Sequence, residues 1–454
     1  MKSKKVRTSK NNRKTYKKYG SVSFYKHPPN ITTICGYNFL FLPIKCETIE
    51  VKCKVFGGYY LENEENLGIS HMLEHVLTEA WKKCKIPCSS YLEKYGTLSN
   101  ASTSDMSTSF WINGLDKFTE ILIEYILSII LDPYFTEKLL EREINAIHNE
   151  LAILMNDPNH KLNRVISQTI FTNYGLQNGN NLTLQRKNLS KYTIKILKDF
   201  SNQLIASRKF LFIISGSINK RKIVNIIKDK LNTFTPIKPC SVAPSNNLLC
   251  YNIKKQVIYV NNPKKNTSEI RFYFLLNYYQ GNHILLYVPI ISHILGQGLN
   301  SLLIKELRVK QKLIYSTSVT YDTNFCGTMI CVSISTVPKK LNIVLKKTVE
   351  IIKKYQKITI PSDTLTHYKL KSILFMQSVC LNNPASVSSF YTNQYFYQND
   401  KKTPKIYTIK DIYNTVQKLD LQKVKKLLNI FFDLNKCSLF YMSHTKTSFS
   451  IEDF

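Results

Sequence analysis

The sequence predicts an α+β protein built as two similar units, each an antiparallel-rich sheet packed by helices. Three observations predict it. The 454 residues can bury a large core and suggest two to four domains. Strand-like and helix-like runs follow one another in the first half, and the second half broadly repeats their order. A stretch rich in Pro, Ser and Asn without periodicity, Thr235–Asn247, separates the two. The expected division is a basic tail over residues 1–30, a first unit over 31–235, a linker over 236–254 and a second unit over 255–454.

In chain order, residues 1–18 hold nine Lys or Arg and no acid, which reads as a solvated basic tail. Ile34–Leu42 and Thr48–Gly58 read as strands, the second because Ile49, Val51, Cys53 and Val55 alternate with polar residues. A helix is expected near Leu67–Trp81, a short one over Ser90–Lys94, and one extended strand over Leu98–Ile112. Leu115–Leu131 has a broad apolar face, and Asp132-Pro133 ends it because proline disfavours helix at the preceding residue. Thr136 is a fitting N-cap for a helix to about Asn156. Helix over Lys191–Ser207, strand over Phe210–Ser217 and helix over Asn219–Phe234 complete the first unit. The second begins with strands Gln256–Asn261 and Ser268–Leu276, then helices Leu285–Gly296 and Leu299–Leu307. Strands Tyr315–Thr323 and Thr328–Ser335 precede a helix over Lys339–Lys357.

The chemistry gathers at residues 68–75, Gly-Ile-Ser-His-Met-Leu-Glu-His. On a helix, at about 100° per residue, His71, Glu74 and His75 fall at roughly 0°, −60° and +40°, on one narrow face. Two imidazoles one turn apart can reach one metal ion, and the carboxylate between them can reach a water on that metal without being a ligand. Imidazole ligands around an open site favour zinc. The alternative is an amphipathic helix that happens to carry two His and a Glu; a third ligand downstream decides between them. The helix through Asn156 carries Glu143 and Glu150, about 20° from eclipsed and beside the apolar stripe Leu140, Ile144, Ile147, Leu151 and Leu154. Burying two acids is expensive unless a cation or hydrogen bonds meet them. A solvated helix face is the competing reading.

These residues resemble the pitrilysin–insulysin family of zinc peptidases, whose motif runs in the inverted HxxEH order. The matching residues are His71-Met72-Leu73-Glu74-His75 and Glu143-Ile-Asn-Ala-Ile-His-Asn-Glu150 at the family's separation. The resemblance implies two homologous αβ-roll domains and one Zn2+ per chain held by His71, His75 and Glu150. It also implies Glu74 as general base and Glu143 as a carboxylate orienting the site. Ser99, Asn100, Ala101, Ser102 and Thr103 resemble the family's substrate-side edge strand, which would take a peptide by strand addition. The stretch Leu295–Arg308, continuing to Tyr315, resembles the signature of the family's second domain. Arg308 and Tyr315 then match the pair that contacts substrate. Because short members build their chamber from paired chains, a homodimer with sites completed in trans is implied, or a heterodimer with a related subunit.

Composition bounds the rest. No apolar run reaches the roughly 18–20 residues that span a bilayer, and the Lys-rich start lacks the apolar region of a secretory signal. The eleven scattered cysteines suggest reduced thiols in a cytosol-like compartment; a viral particle or an organelle also fits. Cys84 and Cys88 form a C-x3-C pair that nothing nearby completes as a metal site. The formal charge of +32 admits nucleic-acid contact through the tail, although Lys, Asn, Ile, Tyr and Phe together are also the residues of AT-rich codons. The expected function is a zinc endopeptidase of unfolded or short peptides. The alternative is an inactive relative serving as a structural or chaperone-like subunit.

Overall fold

Runs of β-branched and aromatic residues build one sheet in each half of the chain. The computed structural model describes residues 28–85, 87–235, 250–263, 266–376, 383–397 and 405–454. The expected tail up to residue 27 and residues 236–249 of the expected linker lie outside them. The strands are β1 (Ile31–Ile34), β2 (Tyr37–Pro43), β3 (Thr48–Phe56), β4 (Leu98–Thr103), β5 (Ser107–Leu115) and β6 (Phe210–Gly216), then β7 (Gln256–Asn261), β8 (Ser268–Leu276), β9 (Ile314–Asn324), β10 (Gly327–Thr336) and β11 (Cys437–Ser443). First-half helices are α1 (Ile69–Glu79), α2 (Cys88–Glu93), α3 (Thr119–Leu131), α4 (Glu137–Met155), α5 (His160–Ile170), α6 (Tyr174–Asn178), α7 (Leu182–Asn188), α8 (Ile194–Ala206) and α9 (Lys220–Leu231). The second half adds α10 (Val288–Gly296), α11 (Leu341–Lys357), α12 (Ser362–Phe375), α13 (Pro384–Phe396), α14 (Ile409–Lys418) and α15 (Leu421–Phe431).

The sheet orders are β1-β2-β6-β3-β5-β4 and β7-β11-β8-β10-β9. Without β1 they correspond strand for strand, each with one parallel pair (β2 with β6, β7 with β11) among antiparallel ones. The fold is therefore α+β, with one topology used twice. Each half has its own core, between a sheet and its helices. The far faces are covered reciprocally: Val387 and Tyr391 of α13 close Leu40, Leu42, Leu211 and Ile213 of the first sheet. Leu162, Ile166 and Ile170 of α5 pack with Val260, Phe440 and Met442 of the second.

Several local expectations change. Leu98–Ile112 is a hairpin rather than one strand, because the chain reverses at Ser104, whose N–H donates to the Ser107 carbonyl at 2.8 Å. Gly58 (φ +63°) makes the close approach that anchors this turn; a Cβ there would collide with the Ser104 carbonyl oxygen. Ile34–Leu42 is split into β1 and β2 by Cys35 and Gly36, both at positive φ. Periodicity assigns nothing to residues 160–188, where Asn173 and Asn181 cap α6 and α7 by accepting from the Leu176 and Leu184 N–H groups. The helix expected over Leu299–Leu307 is a π-helical turn over Ile304–Lys310. Two cysteine pairs, Cys84 with Cys88 and Cys250 with Cys326, are disulfide-bonded, against the expectation of unpaired thiols. Their Cα atoms are 5.3 and 5.5 Å apart, and for the second pair it is folding, not spacing, that joins residues 76 positions apart. No helix of the described residues is long and apolar enough to cross a membrane.

Candidate metal centre

The site is built where α1 lies against the edge strand β4 and the middle of α4. Three contacts fix the start of α1. Gly68 takes the left-handed conformation at φ +98°. The buried Glu62 carboxylate accepts from the N–H groups of Gly68 at 2.7 Å and Ser70 at 2.9 Å, answering the unpaired donors of a helix N-terminus. Ser70 Oγ also donates to the Gly58 carbonyl at 3.2 Å. Burial pushes the Glu62 carboxyl up to about 7, against the pull of those hydrogen bonds. Thr136 caps α4 as its sequence suggests, accepting from the Leu139 N–H.

His71 and His75 leave α1 one turn apart with ring centroids 4.8 Å from each other. Their Nε2 atoms lie 3.6 and 3.5 Å from Oε2 of Glu150, and one ligand atom from each of the three falls within 4.8 Å of the others. Ligand atoms bound at about 2.0–2.2 Å in a tetrahedron stand about 3.3–3.5 Å apart, so the two imidazole–carboxylate separations match a zinc site and the donor set is one that zinc takes. Nδ1 of His75 meets Oε2 of Glu143 at 3.3 Å, which assigns the ring proton to Nδ1 and leaves the Nε2 lone pair for a metal. Glu143 Oε1 in turn accepts from Arg142 Nε at 2.8 Å. Arg142 Nη2 reaches Glu79 at 3.1 Å, and Glu79 accepts from the Cys88 and Ser89 N–H groups at the start of α2.

Burial, then the neighbouring His75 charge, lowers His71 to about 4, so its imidazole is neutral at physiological pH. For His75 burial also pulls downward, but the hydrogen bonds to Glu143 and Glu150 outweigh it and raise the ring to about 9 without metal. Burial acts to raise Glu143, yet its bonds to His75 and Arg142 hold it below the ordinary value. The His75 bond does the same for Glu150, whose side chain is 45% exposed and so leaves one side of the centre open. Glu74 is buried, and burial raises its carboxyl while the Thr103 hydroxyl, 2.6 Å from Oε2, opposes the shift.

Thus His71, Glu74, His75, Glu143 and Glu150 are brought together on α1 and α4. Ser99, Asn100, Ala101, Ser102 and Thr103 lie on β4, the outermost strand, which pairs only with β5. Arg308 and Tyr315 stand elsewhere, exposed on the π-helical turn and at the start of β9. Among the described residues, neither makes a hydrogen bond or ring contact with the five. Glu62, Glu79 and Arg142 are supporting residues that sequence reasoning missed. Only Arg142 carried a signal, a cation adjoining a carboxylate already marked as buried.

Fold and site define a two-unit, metallopeptidase-like scaffold. Residues 46–181 match the family described as insulinase (peptidase family M16), and residues 191–371 match the peptidase M16 inactive domain. The chain belongs to the peptidase M16 family. It is 22% identical to the mitochondrial-processing peptidase subunit beta of Dictyostelium discoideum over 40% of this chain and 39% of that protein. It is 20% identical to the non-peptidase homolog YmxG of Helicobacter pylori, covering 86% and 88% of the two chains. The uncharacterized zinc protease YmxG of Bacillus subtilis is also 20% identical, over 82% of this chain and 87% of that one. Among solved structures, a Helicobacter pylori protease superimposes with a TM-score of 0.76 at 17% identity, covering 91% of this chain and 100% of that one. A Pseudomonas fluorescens peptidase M16 inactive domain gives 0.77 at 14% identity, covering 92% and 99%.

Proposed function

We propose that this chain is a zinc-dependent endopeptidase of unfolded or short peptides. The observation that carries the reading is the convergence of His71 Nε2, His75 Nε2 and Glu150 Oε2 beside the buried carboxylate of Glu74. When bound there, zinc supplies Lewis-acid polarisation of a peptide carbonyl and a lowered pKa for an attacking water. Glu74 takes the proton from that water and returns it to the leaving amine. Glu143 holds His75 in the ligating tautomer. The free edge of β4 offers backbone groups to an extended peptide, which makes side-chain selectivity modest. Exposed on the π-helical turn and at the start of β9, Arg308 and Tyr315 would serve the site of a partner chain, donating to the peptide carbonyl or its developing oxyanion. That partner is a second copy or a related subunit; the name of the Dictyostelium relative, a subunit, supports the latter.

The test is metal content of the purified protein beside Glu150→Gln. About one zinc per chain in wild type, largely lost in the variant, is expected, followed by peptide cleavage that a chelator and Glu74→Gln both abolish. Wild-type protein that holds no zinc even after incubation with it would overturn the reading. The second reading, a non-catalytic subunit, has one observation in its favour: the Helicobacter pylori relative is named a non-peptidase homolog. It predicts zinc-loaded protein that cleaves no peptide alone or with a partner. An active monomer would remove the proposal of completion in trans.

A further inference from the structure

The sequence places Thr103 on a strand expected to hold substrate, yet its side chain is engaged with the protein itself. We propose that the Thr103 hydroxyl is a positioning residue for Glu74, fixing that carboxylate for proton transfer; this rests on the peptidase reading. Oγ1 of Thr103 lies 2.6 Å from Glu74 Oε2, against 3.4 Å from both the Ser70 carbonyl and Thr108 Oγ1. A hydroxyl has one proton, and an ionised acceptor at the shortest distance takes it. The neighbouring Thr108 hydroxyl is left to donate to Thr103, the residue it faces across the hairpin.

The geometry is held from both sides by one short segment. The Tyr59 and Tyr60 N–H groups donate to the carbonyls of Ser104 and Asp105, tying down the turn next to Thr103. Gly58 and Glu62 hold the first turn of α1, which carries Glu74. A β-branched side chain has few χ1 choices, so the donor is set before substrate arrives. A carboxylate torsion is broad by comparison, and without a fixed donor Glu74 turns among several orientations. With Oε2 held by Thr103, the orientation of the whole carboxylate is set.

The test compares Thr103→Val, which keeps the shape and removes the hydroxyl, with Thr103→Ser, which restores it. Zinc content, melting temperature, kcat and KM on one unstructured peptide are measured, and crystal structures show the Glu74 carboxylate. The expected result is a kcat about 10- to 100-fold lower in Thr103→Val, the loss of one hydrogen bond to a charged group. KM should stay within about twofold, because strand addition uses backbone groups. Zinc content should be unchanged, Thr103→Ser should recover most of kcat, and Glu74 should be displaced only in the Val variant. A Val variant with wild-type kcat would overturn the proposal. So would a rise confined to KM, which marks a substrate contact, or an equal loss in both variants with lowered melting, which marks a structural one. If the wild type cleaves nothing, the peptidase reading fails separately, and an unmoved Glu74 carboxylate in zinc-loaded Thr103→Val would still refute the positioning role.

Discussion

Removing the guanidinium of Arg142 should weaken zinc binding although Arg142 is not a ligand. It acts through Glu143, which it meets at 2.8 Å, and Glu143 meets the Nδ1 of His75 at 3.3 Å. A hydrogen bond to a charged group is worth roughly 1.5–3 kcal/mol when buried. The Arg142 side chain is 45% exposed, which screens the pair and brings the expectation to about 1–1.5 kcal/mol. Arg142→Met should therefore raise the zinc dissociation constant about 5- to 15-fold. Glu143→Gln, which removes the charged acceptor itself, should raise it about 10- to 100-fold. Because one residue works through the other, the double variant should bind about as weakly as Glu143→Gln alone, a coupling that a double-mutant cycle reads directly. The assay is competition with a chromogenic chelator at fixed pH and ionic strength. An Arg142→Met constant within twofold of wild type, or additive effects in the double variant, would refute the chain of positioning drawn here.

Two other predictions concern the scaffold. The Glu62 carboxyl sits at about 7 in the folded chain against an ordinary 4.5. Between those values the folded state keeps a proton that the unfolded state releases, so stability should fall as pH rises across that window by about 3 kcal/mol. Glu62→Gln should flatten that slope in denaturant titrations from pH 4.5 to 8; an identical slope in the variant would sink the assignment. A fragment of residues 28–235 leaves Leu40, Leu42, Leu211 and Ile213 without the α13 cover. It should show no cooperative unfolding and should associate on size-exclusion chromatography, whereas a monomeric, cooperatively folded fragment would show the halves to be independent.

The parts of this chain that were legible in its sequence are those whose cause is local. Strands Gln256–Asn261 and Ser268–Leu276 match β7 and β8 end for end, because alternation and flanking breakers act within a few residues. His71, Glu74 and His75 share a face by helical geometry alone. What was illegible depends on distant partners. In Leu98–Ile112 the reversal is marked only by Ser104-Asp105, a weak turn signal that Gly58 and Tyr60, more than forty positions earlier, reinforce. Glu62 lies six positions before Gly68, outside the span in which a capping residue is sought, and reaches the helix start through the fold. The Cys250–Cys326 pair and the exchange of α5 and α13 between sheets are likewise products of tertiary packing.

Among the described residues the first half alone presents a metal-ligand set, and the repeated topology shows what stands in its place in the second. α10 stands beside β9 in the second half as α1 stands beside β4 in the first, each between the strands that correspond. On α1 the face near β4 carries the carboxylate of Glu74, which accepts from Thr103 of that strand. On α10 the equivalent space is filled. Ile290, Ile291, Ile294 and Leu295 are buried, and Gly296 lets β9 press so close that a Cβ there would lie 2.5 Å from Val319 Cγ2. Gln297 then bonds the Val319 carbonyl at 2.8 Å, fastening the end of this helix to the strand. α10 carries His293 but no second imidazole and no carboxylate, and its tight packing against β9 leaves little room for an ion. Arg308 and Tyr315 are exposed on the turn before β9 and at its start. The same scaffold thus carries the candidate ligand set on α1 and α4 in one half and exposes Arg308 and Tyr315 in the other.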